Sequence, residues 1–148
     1  MAANTVGVIL SMKTKILGLS IVVLFAAAGT TVQAAELIDP PQSEWGCELS
    51  DAKVQQGITA GLIGRGWTVT SNDKAGNMVA QVIVRGKHTL VVDVVYTNTS
   101  VDINYKSSDN LKYKNKNGVE HIHRNANSWM DNVKNDITAQ LNALCNMG

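Results

Sequence analysis

Hydrophobic residues in this chain keep two rhythms, and their order limits the fold to a narrow set. From Met78 to Tyr105 apolar side chains recur at every second position within β-rich runs. That is the period of a strand with one buried face. On either side the spacing becomes three and four. Val54, Ile58 and Leu62 precede the block; Ile122, Ala126, Trp129, Val133, Ile137, Leu141 and Leu144 follow it. Such stripes belong to helices with one apolar side. Elements of this kind bury their apolar sides against one another. The pattern predicts a two-layer α+β domain: helix, four-stranded antiparallel meander, helix, with both helices on one sheet face.

Local signals set the boundaries. Ser50 can cap a helix over roughly 50–64, Asp51 suits its positive end, and Gly64-Arg65-Gly66 ends it. Trp67 to Thr70 reads as a short strand, and 78–84 and 88–96 as a hairpin around Arg85-Gly86-Lys87. A three-residue loop there sets Val84 opposite His88, Val82 opposite Leu90, Ala80 opposite Val92 and Met78 opposite Val94. This register gathers the apolar residues on one face, which a two-residue turn does not. A four-residue loop after Tyr96 then pairs it with Val101, and Val94 with Ile103. Lys106 to Gly118 is polar and reads as loop. The second helix is expected from about His121.

The first third is not domain. Met12-Lys13-Thr14-Lys15 is basic, Ile16 to Ala28 is apolar, and Val32-Gln33-Ala34 supplies small residues. That order is the layout of a secretory signal peptide. Residues 1–34 are therefore expected to be a signal peptide, with Met12 the better start and cleavage after Ala34. The alternative is an uncleaved segment anchoring the chain in the inner membrane. After cleavage no integral span is expected. Residues 35–47, with Pro40-Pro41, read as an irregular lead-in, and 48–148 as one domain. Cys47 and Cys145 are the two cysteines. In an exported chain they read as one disulfide rather than two thiols. Alternating element directions bring the start of the first helix to the finish of the second, where these two residues lie.

Charge excludes one class of partner. The chain has 13 Lys and Arg against 12 Asp and Glu, and two of the lysines, Lys13 and Lys15, precede Ala35. The mature part is thus near neutral, with no electrostatic case for nucleic acid.

Residues able to carry function cluster late in the chain. Tyr105, Ser108, Asn110 and Tyr113 fall in a polar stretch, and His123, Arg124 and Asn127 follow at the expected helix start. Ser108, His123 and Asp109 are residue types used by hydrolases, but no nucleophile elbow surrounds Ser108. His121, His123 and His88 could offer imidazoles to a metal. On a helix, positions i and i+2 point about 200° apart, and no recognised zinc spacing is completed. Lys106, Lys112, Lys114, Lys116 and Arg124 make a locally basic stretch that could meet an anionic glycan or lipid surface. Trp67 and Trp129 read as core. His123 and Asn127, four apart on one side of a helix, read as a polar clasp on the loop or as a ligand site.

With Arg65-Gly66-Trp67, His88, Tyr96, Tyr105, Ser108, Asn110-Leu111, Tyr113, Ile122-His123-Arg124-Asn125, Asn127 and Trp129, the chain resembles a family of small exported proteobacterial envelope proteins. Many of them are known only as lipoprotein-like proteins of unknown function. The likeness spans about residues 48–145. The family pattern usually has Tyr where this chain has Ala126, and often a lipid-bearing Cys that this chain lacks. The resemblance implies an envelope location and an α+β fold; it implies no substrate.

The expected function is a non-enzymatic binding or interaction module, periplasmic or secreted, needing no cofactor. Its partner would be an unknown envelope protein or an anionic glycan or lipid surface. The free sheet face (Val79, Gln81, Ile83, Val91, Asp93, Val95) offers a surface for a homodimer. The alternatives are an envelope hydrolase using Ser108 or His123, or a metal-binding protein.

Overall fold

The computed structural model describes residues 34–73 and 75–148. The signal-peptide reading falls on residues that, Ala34 aside, lie outside these. The described chain is α+β, with two helices and two antiparallel sheets.

Helix α1 runs Asp51–Gly64. The Ser50 side chain accepts from the Lys53 amide, and Asp51 lies in the first turn. Backbone bonds from Arg65, Gly66 and Trp67 to Leu62 and Ile63 close its end, and Gly66 takes the left-handed conformation (φ +80°). Strands β3 (Thr68–Asn72), β4 (Asn77–Val84), β5 (His88–Tyr96) and β6 (Ser100–Asp109) follow. The register is the one expected from burying a single face: Val84 faces His88, Val82 faces Leu90, Ala80 faces Val92 and Met78 faces Val94. Tyr96 pairs with Val101, and Val94 with Ile103. Met78, Ala80, Val82, Leu90, Val92 and Val94 are buried, while Ile83 and Val95 on the other face are exposed.

The four-stranded meander is not the whole of the β structure. A two-residue strand β2 (Ser43–Glu44) pairs with β6, so the large sheet has five strands in the order β2-β6-β5-β4-β3. A second sheet has the order β1-β8-β7, from β1 (Ala34–Glu36), β7 (Lys114–Lys116) and β8 (Val119–His123). The lead-in expected to be irregular thus supplies two short strands, and the expected 106–118 loop is largely strand. The reason is local. Asn117 (φ 53°) and Gly118 (φ 84°) form a two-residue turn with both φ positive, which joins Lys116 to Val119. Asn-Gly is the strongest short hairpin signal. The exposed Lys114-Asn115-Lys116 has no buried face to mark it as a strand.

The same hairpin delays the second helix. Residues 119–123 are strand, and α2 spans Arg124–Asn146. Its buried stripe is Ala126, Met130, Val133, Ile137 and Leu141. Met130 takes the central place expected of Trp129, which lies half-buried on the shoulder. The stripes of both helices and the alternate strand residues form one buried cluster. Two further ties hold α2 to the segments flanking α1. Cys47 and Cys145 form a disulfide, with Cα atoms 5.8 Å apart. Arg65 donates two hydrogen bonds to the Asp136 carboxylate, at 2.6 and 2.9 Å. That pair raises the Arg65 pKa and holds the Asp136 carboxyl below its usual range, in each case chiefly through the hydrogen bond.

Candidate functional site

The residues expected to form one polar cluster fall into three groups. The first is built on the two tyrosines. Tyr105 and Tyr113 stack with ring centroids 5.2 Å apart. The Tyr105 hydroxyl lies 2.9 Å from the Ser108 hydroxyl. Tyr113 donates to the Glu120 carboxylate, and that bond, with lesser help from desolvation and nearby negative charge, pushes its phenol up to about 12. The Tyr105 amide donates to the Asp39 carboxylate at 2.7 Å. Ser108 is thus engaged with a phenol, not with an imidazole.

The second group is a clasp. Asn127 donates to the Glu36 carbonyl at 2.8 Å and accepts from the Ile38 amide at 3.3 Å. It grips the extended lead-in as a neighbouring strand would. Buried or half-buried amides take partners in this way.

The third group forms a cleft. Val84, Arg85, His88, Leu111, His123, Asn125 and Trp129 line a hollow of about 220 Å³ at the start of α2. The turn after β4 brings Arg85, β5 begins with His88, and β8 ends at His123, which caps α2. Each imidazole has one nitrogen committed to the backbone. His88 Nδ1 lies 2.8 Å from the Asn110 carbonyl, an acceptor, so that nitrogen carries the hydrogen. His123 Nδ1 accepts from the Asn125 amide at 3.2 Å, so in the neutral ring the hydrogen is on Nε2. Asn110 further donates to the Lys87 carbonyl at 3.2 Å, and the His123 amide to the Leu111 carbonyl at 2.8 Å. These bonds lock the loop around both rings.

The cleft is electropositive. No carboxylate is among its described lining residues. His123 titrates below its ordinary value. Desolvation is the largest cause, followed by the charges of His88, Lys112 and Arg124. All four act in the same direction. Arg85, Asn110 and Lys112 take left-handed backbone (φ 54°, 55° and 55°). For residues other than glycine and asparagine this costs roughly 1–2 kcal/mol each, and such strain gathers at functional sites.

Of the expected site residues, His123 lines the cleft and Asn110 supports it from behind. Arg124 is exposed and acts on His123 only through its charge. Tyr105, Ser108, Tyr113 and Asn127 belong to the other two groups. Arg85, Leu111, Asn125 and Trp129 were not among the expected site residues. The Arg85-Gly86 turn beside His88 was the available signal for the first of them; Trp129 was masked by its place beside an apolar stripe. His121 and His123 lie on a strand, so the helical separation expected between them does not apply. Yet His121 Nδ1 sits 3.2 Å from the Val119 carbonyl, and among the described residues no group of three His, Cys, Asp or Glu is placed to hold a metal. Lys106 of the basic stretch is paired with Asp93 at 3.0 Å, while Lys112, Lys114 and Lys116 are exposed. No helix among the described residues is long and apolar enough to cross a membrane.

No family model matches the chain, and no curated protein or solved structure does.

Proposed function

We propose that the chain is an exported envelope protein that works by binding, and that it takes a small organic or inorganic anion in the cleft at the start of α2. The single observation that carries this reading is the convergence of Arg85, His88 and His123 on one hollow with no carboxylate among its described lining residues. The imidazoles present unlike edges. His123 offers an N–H, and His88 can take up a proton at Nε2 without giving up its bond to Asn110. To an anion, the Arg85 guanidinium and the His123 N–H donate charge-assisted hydrogen bonds, about twice as strong as neutral ones, and His88 joins them where its Nε2 carries a proton. Binding is preferred to hydrolysis because the hydroxyl of Ser108 is held by Tyr105, and an activated serine requires a base within hydrogen-bond reach.

Export rests on the basic, apolar and small-residue order of residues 12–34, and on the Cys47–Cys145 bridge, which fits an oxidising compartment. A periplasmic or secreted location and kinship with the small proteobacterial envelope proteins belong to the same proposal. So does the placement of both helices on one face of the large sheet. Met78, Ala80, Leu90, Val92 and Val94 support it by sharing one buried cluster with both helical stripes.

A nuclear magnetic resonance titration of the labelled domain with phosphate, sulfate and acetate tests the binding reading. Saturable shifts confined to His88, His123, Asn125 and Arg85, and weakened in Arg85→Gln, are expected. Shifts scattered over the surface would defeat it, as would ester turnover that Ser108→Ala abolishes.

A further inference from the structure

A second hollow adjoins the cationic cleft. It measures about 340 Å³ and is lined by Arg65, Trp67, Val82, Val84, Trp129 and Asn132. Val84 and Trp129 line both hollows, so the two share a border of one aliphatic and one indole side chain. Their chemistry differs. The first carries Arg85, His88 and His123. In the second, two tryptophans and two valines line the space, and the one charged residue among its described lining, Arg65, is already bound to Asp136 at 2.6 Å. Trp67 is only 3% exposed, so its ring is fixed by the core. Trp129, half-buried, presents the remaining indole surface.

Resting on the anion-binding reading above, we infer that the ligand is a small amphipathic anion. Its carboxylate would lie among Arg85, His88 and His123, and a flat apolar body would cross Val84 and Trp129 into the second hollow. Ligand sites commonly have about 300–1,000 Å³, mostly apolar walls and a few polar groups that fix orientation. Neither hollow alone combines enough space with both kinds of wall; the two taken together do. An inorganic anion would use only the charged end. A neutral hydrophobe would leave the cations without a partner. A ring over Trp129 gains offset stacking in addition to burial of its area.

The test compares acetate, phenylacetate and 2-phenylethanol as probes of the intact domain, by magnetic resonance titration and by nuclear Overhauser contacts from the probe's ring. Phenylacetate should bind about tenfold more tightly than acetate, as expected for burying a ring's worth of apolar surface. It should contact Val84 and Trp129, and it should outcompete 2-phenylethanol. Trp129→Ala should bring phenylacetate down to the acetate level. Should that variant fail to fold, the ring contacts in the wild type still decide. Equal affinity for acetate and phenylacetate would overturn the amphipathic ligand while leaving the anion site standing. Tight binding of 2-phenylethanol would overturn it too, by making charge irrelevant. Saturation by none of the probes would overturn the amphipathic ligand, and failure of phosphate and sulfate as well would overturn the anion-binding reading.

Discussion

A Cβ placed on Gly61 would stand 2.6 Å from the Ile137 Cα and 2.7 Å from its amide nitrogen. The backbones of α1 and α2 therefore meet at this point, and only a hydrogen fits between them. Four residues earlier, a Cβ on Gly57 would meet the Leu141 Cδ2 at 2.5 Å. The two glycines share one side of the helix. Gly61→Ala should destabilise the domain by about 1–3 kcal/mol, since overpacking against backbone cannot be relieved by a rotamer change. Gly57→Ala should cost clearly less, because a leucine end can turn aside and alanine gains about 1 kcal/mol of helix propensity. Urea denaturation of both variants checks the order; a Gly61→Ala protein as stable as wild type would show that the helices can part without cost.

The Cys47–Cys145 bridge closes a separation of 98 residues. In the chain-entropy model such a loop is worth about 4–5 kcal/mol, and removing a native bridge from a small secreted domain typically costs 2–5 kcal/mol. The double variant Cys47→Ser, Cys145→Ser should therefore melt well below the oxidised wild type. Calorimetry with and without reductant measures the difference, and coincident melting curves would mean that the bridge contributes nothing.

The parts of the fold legible in the sequence are those where burial repeats along a segment. The stripe of α1 and the alternation from Met78 to Ile103 each fix a face, and a face fixes a register, so the pairs Val84–His88 and Tyr96–Val101 were readable in advance. The second sheet has no such repeat. Its strands are three to five residues long and mostly exposed, and turn chemistry at Asn117-Gly118 defines them. The cleft was half legible for a related reason. His123 stood out as a polar residue before an apolar stripe, but Arg85 reaches it from 38 positions away through a hairpin tip whose direction no local pattern encodes. Gly57 and Gly61 carry no such signal, because a stripe is read from large side chains, whereas a close helix crossing is written in absent ones.

Asn127 joins the lead-in to α2 through the Glu36 carbonyl and the Ile38 amide. Beyond the β1–β8 pairing, few bonds hold this segment; the Leu37 amide adds one to the Glu120 carbonyl at 2.9 Å. Asn127→Ala should lower global stability by only about 1 kcal/mol, the net worth of one or two hydrogen bonds. Its local effect should be larger. Amide exchange at Leu37 and Ile38 should quicken, while exchange in β4 and β5 stays as in wild type. Unchanged protection at 36–38 would place the hold on this segment elsewhere, at Asp39 and the Tyr105 amide.

His123 gives the domain a pH dependence whose sign follows from its environment. Its folded pKa lies below the ordinary 6.5, because the ring is desolvated and faces the charges of His88 on β5, Lys112 in the preceding loop and Arg124 on α2. A proton on Nδ1 would also break the bond from the Asn125 amide that caps α2. Between the two pKa values the unfolded chain binds a proton that the folded chain refuses. Stability should therefore be complete above about pH 6.5 and fall as the pH drops toward the lower folded value, levelling off beneath it. His123→Asn keeps a capping oxygen but cannot titrate. Melting temperatures measured from pH 7.5 down to 5 should fall more steeply for the wild type than for the variant, the carboxylates contributing alike to both. Bound acetate should reduce the difference, since an anion in the cleft favours the protonated ring. Parallel profiles for the two proteins would show that the imidazole at the start of α2 titrates as it does in the unfolded chain.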